Sequence, residues 1–213
     1  NIMPHRYIKK ILSANVYDVA VETPVDPARS LSKRLANNIL IKREDLQPIF
    51  SFKIRGAYNC ISKLTDTQRA SGVVCASAGN HAQGVAMSAQ HLGIDATIVM
   101  PKSTPDIKVN SVRALGAKVI LHGDSFAQAF AHSRTLMADL GMVYIHPFDD
   151  EHVIAGQGTV AVELLRQVQG NIDVVFVPVG GGGLIAGMSV YIKYLRPDIK
   201  IIGVEPEDSC CLK

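Results

Sequence analysis

No apolar run in this 213-residue sequence approaches the ~20 residues of a membrane-spanning helix, so no membrane partner is expected. The start lacks the charged-then-apolar layout of a signal peptide. Basic and acidic residues (22 against 19) give a formal net charge of +3 without runs, and aromatics do not interleave with basic residues, which argues against a nucleic-acid partner. The four cysteines, Cys60, Cys75, Cys210 and Cys211, have neither zinc-site spacing nor the density of a disulfide scaffold, so reduced thiols in the cytoplasm are expected. Seven histidines show no H-E-x-x-H spacing, and no metal is expected; a serine-hydrolase nucleophile elbow is also missing. Repeats and low-complexity segments are absent. With 47% hydrophobic and 19% charged residues, a globular protein with one sizeable core or two small ones remains.

The pattern that is present alternates. Tyr7, Ile8, Ile11 and Leu12 suggest a short amphipathic helix, and Thr23-Pro24 a turn. A helix is expected from Arg29 to Ala36 and a short strand over Ile39–Lys42. Strand-like runs follow at Val73–Ala76, Thr97–Met100, Lys118–Leu121 and Val143–Ile145, with helical spacing between them. Thr104-Pro105 is read as the start of one helix and Gly116 as its end. Asp124 or Ser125 starts the next, with Phe126, Phe130, Met137 and Leu140 on one face and Gly141 as the stop. A helix from Ile154 to Val168, a buried strand over Val174–Val179, a helix to Leu195 stopped by Pro197, and a last strand over Ile199–Val204 complete the chain. This rhythm predicts an α/β fold with a parallel sheet and right-handed crossovers.

Two stretches carry chemistry together. Between the Val174–Val179 strand and its helix lie Gly180, Gly181, Gly182 and Gly183, then Leu184. Four bare amides where a helix begins suit an anion such as a phosphate. A tight turn would need only one glycine. Upstream, Ser51 is placed to cap a helix through Ile54, Ala57, Tyr58, Ile61 and Leu64, which puts Lys53 in its first turn. There the helix dipole and Arg55 both disfavour an ammonium, so Lys53 is a poor structural residue but a sensible nucleophile. A third motif, Ser77-Ala78-Gly79-Asn80-His81, follows a strand and opens a helix. It is a second anion site, suited to a carboxylate. His81 is read as positioning that turn rather than titrating. His146 and His152 flank a polar turn and are read as surface or capping residues.

A dinucleotide site competes with this reading. Gly181-x-Gly183-x-x-Ala186 fits the loose Rossmann fingerprint, and Glu205 ends the next strand as a ribose-binding acid would. An NAD-dependent dehydrogenase has no need of the Lys53 or Asn80 motifs. A module that only binds an effector, without catalysis, is the third class, and an intact Lys53 argues against it.

In their order and spacing, S-F-K-I-R-G-A, S-A-G-N-H-A-Q-G and V-G-G-G-G-L-I-A-G resemble the fold type II enzymes that use pyridoxal 5′-phosphate (PLP), and within them the biosynthetic threonine ammonia-lyases. The resemblance runs from about Glu22 to Lys213. It implies a three-layer, parallel-sheet, tryptophan synthase β-like fold in two lobes: a large lobe from residues 1–45 and 152–213, and a small lobe from residues 46–151. It implies Lys53 as catalytic base and covalent anchor of PLP. The amides of Gly180, Gly181, Gly182, Gly183 and Leu184 would hold the phosphate, Asn80 the ring hydroxyl, and Ser77, Ala78, Gly79, Asn80 and His81 the substrate carboxylate. Serine racemases of this fold carry a serine where Ala78 stands, so racemisation is expected to be weak. The implied reaction is deamination of L-threonine to 2-oxobutanoate and ammonia in isoleucine biosynthesis, with L-serine to pyruvate as a secondary activity, by a cytoplasmic homotetramer. In the family, the partner of the pyridine nitrogen and the regulatory domain that senses isoleucine would lie beyond Lys213. The large lobe is therefore expected to be incomplete and the regulatory domain absent.

Overall fold

The structure is a computed structural model, and it describes residues 3–209; Cys210 and Cys211 lie outside the described residues. In chain order the elements are α1 (Met3–Leu12), β1 (Val25–Pro27), α2 (Arg29–Leu35), β2 (Leu40–Lys42), α3 (Lys53–Ile61), α4 (Asp66–Ser71), β3 (Val73–Ala76), α5 (Asn80–Leu92), β4 (Ala96–Met100), α6 (Asp106–Ala114), β5 (Lys118–Leu121), α7 (Phe126–Leu140), β6 (Val143–Tyr144), α8 (Glu151–Gln167), β7 (Val174–Pro178), α9 (Gly183–Leu195) and β8 (Lys200–Val204). Two 3₁₀ turns, Glu44–Leu46 and Glu207–Ser209, complete the described chain.

The centre is a four-stranded sheet in the order β5-β4-β3-β6, parallel throughout. β3 and β4 are buried along their whole length, which explains their continuous apolar sequence. Side chains alternate between the two faces. Val73, Cys75, Ile98 and Met100 join Ala57 and Ile61 of α3, Val85 and Ala89 of α5, and Val109 and Val112 of α6. Val74 and Val99 face Ala129, Leu136 and Met137 of α7 on the other side. The result is helix, sheet and helix in three layers.

A second parallel pair, β7-β8, carries Val177 and Val175 on the face covered by Val160 and Leu164 of α8 and Met188 and Ile192 of α9. The expectation of a fully buried strand over Val174–Val179 is corrected here. Val174 and Phe176 are exposed, because helices cover only one face of this pair among the described residues.

Other local expectations also change. Thr23-Pro24 is extended chain running into β1, a strand with no counterpart in the sequence pattern, which pairs antiparallel with the expected strand β2. The turn lies earlier, at 17–19. Thr104 does not cap α6; Pro105 holds that position without a side-chain bond, and its carbonyl accepts from Lys108 N. On α7, Ser125 is the cap and Gly141 the left-handed stop, but Phe126 and Leu140 are exposed and the buried face runs through Ala129 and Ser133.

α3, the helix that carries Lys53, crosses α8 at glycine contacts. A Cβ on Gly156 would lie 2.5 Å from the Arg55 carbonyl, and one on Gly56 would meet the Gln157 side chain at 2.3 Å. No side chain fits between the backbones, so α3 is held against α8 at backbone distance. A buried charge network locks the same crossing. Arg55, fully buried, donates to Glu163 at 2.6 and 3.0 Å and to Glu44 at 2.7 and 2.8 Å. Lys42 Nζ donates to Glu163 at 2.6 Å and Tyr17 Oη to the same carboxylate at 2.7 Å. Burial alone would raise the Glu163 carboxyl, but Arg55, Lys42 and Tyr17 outweigh it and hold the group below its ordinary range.

Candidate active site

Lys53 is the first residue of α3. The helix cap falls one residue later than expected, at Phe52, which makes no side-chain cap bond; Ser51 Oγ accepts from Lys53 N at 3.3 Å. The chain reaches this point through Phe50, a bulky residue with φ +58° and an exposed ring. The Lys53 side chain donates from Nζ to the Pro147 carbonyl at 2.7 Å and lies 5.5 Å from the centroid of the Phe52 ring. Burial lowers its pKa from 10.5 to about 8. Arg55 does not contribute as the sequence suggested, because its guanidinium is neutralised by Glu44 and Glu163.

Across a cavity of about 630 Å³ from Lys53 lies the glycine turn. The cavity is lined by Phe52, Lys53, Phe148, Pro178, Val179, Gly180 to Leu184, Val204, Glu205 and Pro206. Gly182 adopts φ +88°, and α9 starts at Gly183, so the first amides of α9 have no intrahelical acceptor. A Cβ on Gly180 would meet nothing within 4 Å, so that part of the cradle is open. Gly181 and Gly183 are small for a different reason. A Cβ on Gly181 would lie 2.0 Å from Cδ1 of Phe148, and one on Gly183 3.0 Å from the Phe148 carbonyl.

The third motif stands at the C-terminal end of β3 and the start of α5. Ser77 and Ala78 are half-buried, Gly79 and Asn80 exposed, and Ser77 Oγ accepts from Gly79 N at 3.3 Å. None of residues 77–81 is among those lining the cavity. They are tied to it indirectly. α5 packs on α3, where a Cβ on Gly84 would lie 3.2 Å from the Lys53 carbonyl. His81 is buried and its Nε2 donates to the Ile145 carbonyl at 2.9 Å. Burial pushes its pKa down to about 4, against the Ile145 hydrogen bond, so the ring is neutral near pH 7 and holds the turn in place, as expected. His146 accepts at Nδ1 from Asp149 N and Phe148 N, the capping role anticipated for it.

Phe52, Pro147 and Phe148 escaped sequence reasoning. The available signal was His-Pro-Phe-Asp-Asp between a strand and a capped helix, where a proline carbonyl and a bulky ring have no obvious structural use. Among the described residues no group of three His, Cys, Asp or Glu side chains is placed to hold a metal ion, and no helix is long and apolar enough to cross a membrane.

A parallel α/β scaffold thus brings a glycine turn at a helix start and a desolvated lysine to one cavity. The chain belongs to the family of pyridoxal-phosphate dependent enzymes, which matches residues 16–213. Its fold is the tryptophan synthase β-like fold of PLP enzymes of type II. It is 56% identical over 211 residues to the biosynthetic L-threonine dehydratase of Burkholderia multivorans, covering 98% of this chain and 42% of that protein. It is 59% identical over 208 residues to the chloroplastic biosynthetic threonine dehydratase 1 of Solanum lycopersicum, covering 98% and 34%. The processed form of threonine deaminase isoform 2 from Solanum lycopersicum superposes with a TM-score of 0.94 at 52% identity, covering 97% of this chain and 56% of that one. Maize serine racemase superposes with a TM-score of 0.89 at 38% identity, covering 95% and 61%. The chain thus spans about two-fifths or less of the length of these two curated relatives.

Proposed function

We propose that this chain is the PLP-binding part of a threonine ammonia-lyase, which converts L-threonine to 2-oxobutanoate and ammonia and acts secondarily on L-serine. The observation that carries the reading is the pairing, in one cavity, of a desolvated lysine with the open glycine turn. When bound, PLP supplies an electrophilic carbonyl for the substrate amine and a ring that accepts electron density from Cα. Lys53 would hold the cofactor through Nζ, and the same nitrogen, freed when the substrate amine takes its place, would move the Cα proton; a pKa near 8 leaves a useful fraction of free amine at neutral pH. Amides of Gly180 to Leu184 would take the phosphate, Asn80 the ring hydroxyl, and Ser77 with the Ala78–His81 amides the substrate carboxylate. Ala78 has no group that can move a proton, which favours elimination over racemisation despite the likeness to a serine racemase. The dinucleotide reading falls away, because it gives Lys53 no role and the family match covers nearly the whole chain.

The lobe division (1–45 with 152–213 against 46–151) is supported by separate parallel sheets with separate apolar clusters. A cytoplasmic homotetramer rests on the family resemblance alone. The test is release of 2-oxo acid by the full-length protein with PLP. Threonine should outpace serine, and D-serine should not accumulate from L-serine. Racemisation as the main outcome would overturn the assignment.

A further inference from the structure

Three motifs far apart in sequence meet on one short segment, residues 145–148. The Ile145 carbonyl accepts from His81, the anchor of the Asn80 turn. The Pro147 carbonyl accepts from Lys53 Nζ. The Phe148 ring fills the space left by Gly181, and its backbone packs on Gly183. The geometry of this segment therefore sets where the lysine amine sits relative to the phosphate turn.

What sets the geometry of the segment is His146. Its Nδ1 accepts from Asp149 N at 2.7 Å and from Phe148 N at 3.3 Å, closing the turn around Pro147. Pro147 has no N–H and cannot close the turn itself. The His146 ring stands edge-on to Tyr144 and Phe148, with centroids 6.1 and 4.7 Å away, so it is wedged in place. The charged groups that act on it are Asp149 and Asp150 on its own turn and Lys53 opposite.

We propose that His146 is a positioning residue for Lys53: by accepting two backbone N–H groups at Nδ1, it holds the 146–149 turn in the form that presents the Pro147 carbonyl to Nζ and the Phe148 ring to the glycine turn. The inference rests on the reading that Lys53 anchors the cofactor. Losing the acceptor opens the turn and lets water reach Nζ. Because burial is what lowers the Lys53 pKa, opening returns the amine toward an ordinary lysine.

Two variants separate the acceptor from the ring. H146F keeps an aromatic wedge and removes the acceptor. H146N removes the ring and restores an acceptor, since an asparagine side chain bonds the backbone N–H two residues on. The measurement is the pH midpoint for labelling of Lys53 by an amine-reactive ester in the cofactor-free protein, quantified on the Lys53 peptide by mass spectrometry. H146F should raise the midpoint by about one unit or more, and H146N should keep it close to wild type. A midpoint unmoved in H146F, or moved equally in both, overturns the proposal. Amide exchange supplies a second readout: the Phe148 and Asp149 N–H groups should exchange faster in H146F only, and unchanged exchange there counts against the clasp. Labelling does not involve the cofactor. If visible colour with PLP survives K53A, the cofactor reading fails while the labelling result still decides the role of His146.

Discussion

At the scale of single residues, Lys53 and Gly181 carry the account. Lys53 is a base whose folded pKa, about 8, lies below its ordinary value of 10.5 because of burial. Between those values the unfolded chain holds the proton and the folded chain does not, so stability rises with pH across this window and is lost as pH falls through about 8. K53M in the cofactor-free protein should therefore unfold at higher urea than wild type at pH 7, by about 1–2 kcal/mol, a figure discounted because the side chain is only partly buried. The difference should shrink as pH rises from about 8 to about 10.5; a gap that widens with pH contradicts the burial argument. The glycines make a second comparison. G181A drives a methyl into the Phe148 ring and should cost about 1–3 kcal/mol, whereas G180A meets open space and should stay within about 0.5 kcal/mol. Equal costs in chemical denaturation would show that Phe148 does not seat on Gly181.

At the scale of elements, α3 is positioned by what surrounds it. Its backbone contact with α8 at Gly56 and Gly156 leaves no freedom to slide, and Arg55 ties it to Glu44 and Glu163. R55M leaves the buried Glu163 with Lys42 as its one cation among the described residues and takes the guanidinium from the half-buried Glu44, and should cost about 3 kcal/mol in denaturant unfolding; a cost near zero would mean that the network is slack. The sequence made the strands and the three turn motifs legible, because continuous apolar runs and glycine-rich turns are local signals. It did not reveal α4, although Thr65 and Gln68 form a complete capping box there. β1 escaped because a three-residue edge strand that includes Pro27 has no periodicity to read. The sequence alone presents Arg55 as a charge acting on Lys53, because its partners Glu44 and Glu163 lie 11 and 108 residues away in the chain. Pro147 and Phe148 went unread for the same reason: their contacts to Lys53 and Gly181 are tertiary.

At the scale of the whole molecule, two parallel sheets with separate apolar clusters are joined through α3 and α8, and the candidate site lies where they meet. One side supplies Lys53 and the 145–148 segment, and the other supplies the glycine turn. This explains why the site motifs are so widely spaced in sequence. It also makes a covalent role for Lys53 the proposal on which the functional reading turns. The direct measurement is the visible absorption spectrum of the protein with added PLP, in wild type and K53A. Wild type should show a yellow band that changes on adding threonine, and K53A should show only the spectrum of free cofactor. A protein-bound yellow band that persists in K53A would contradict the account.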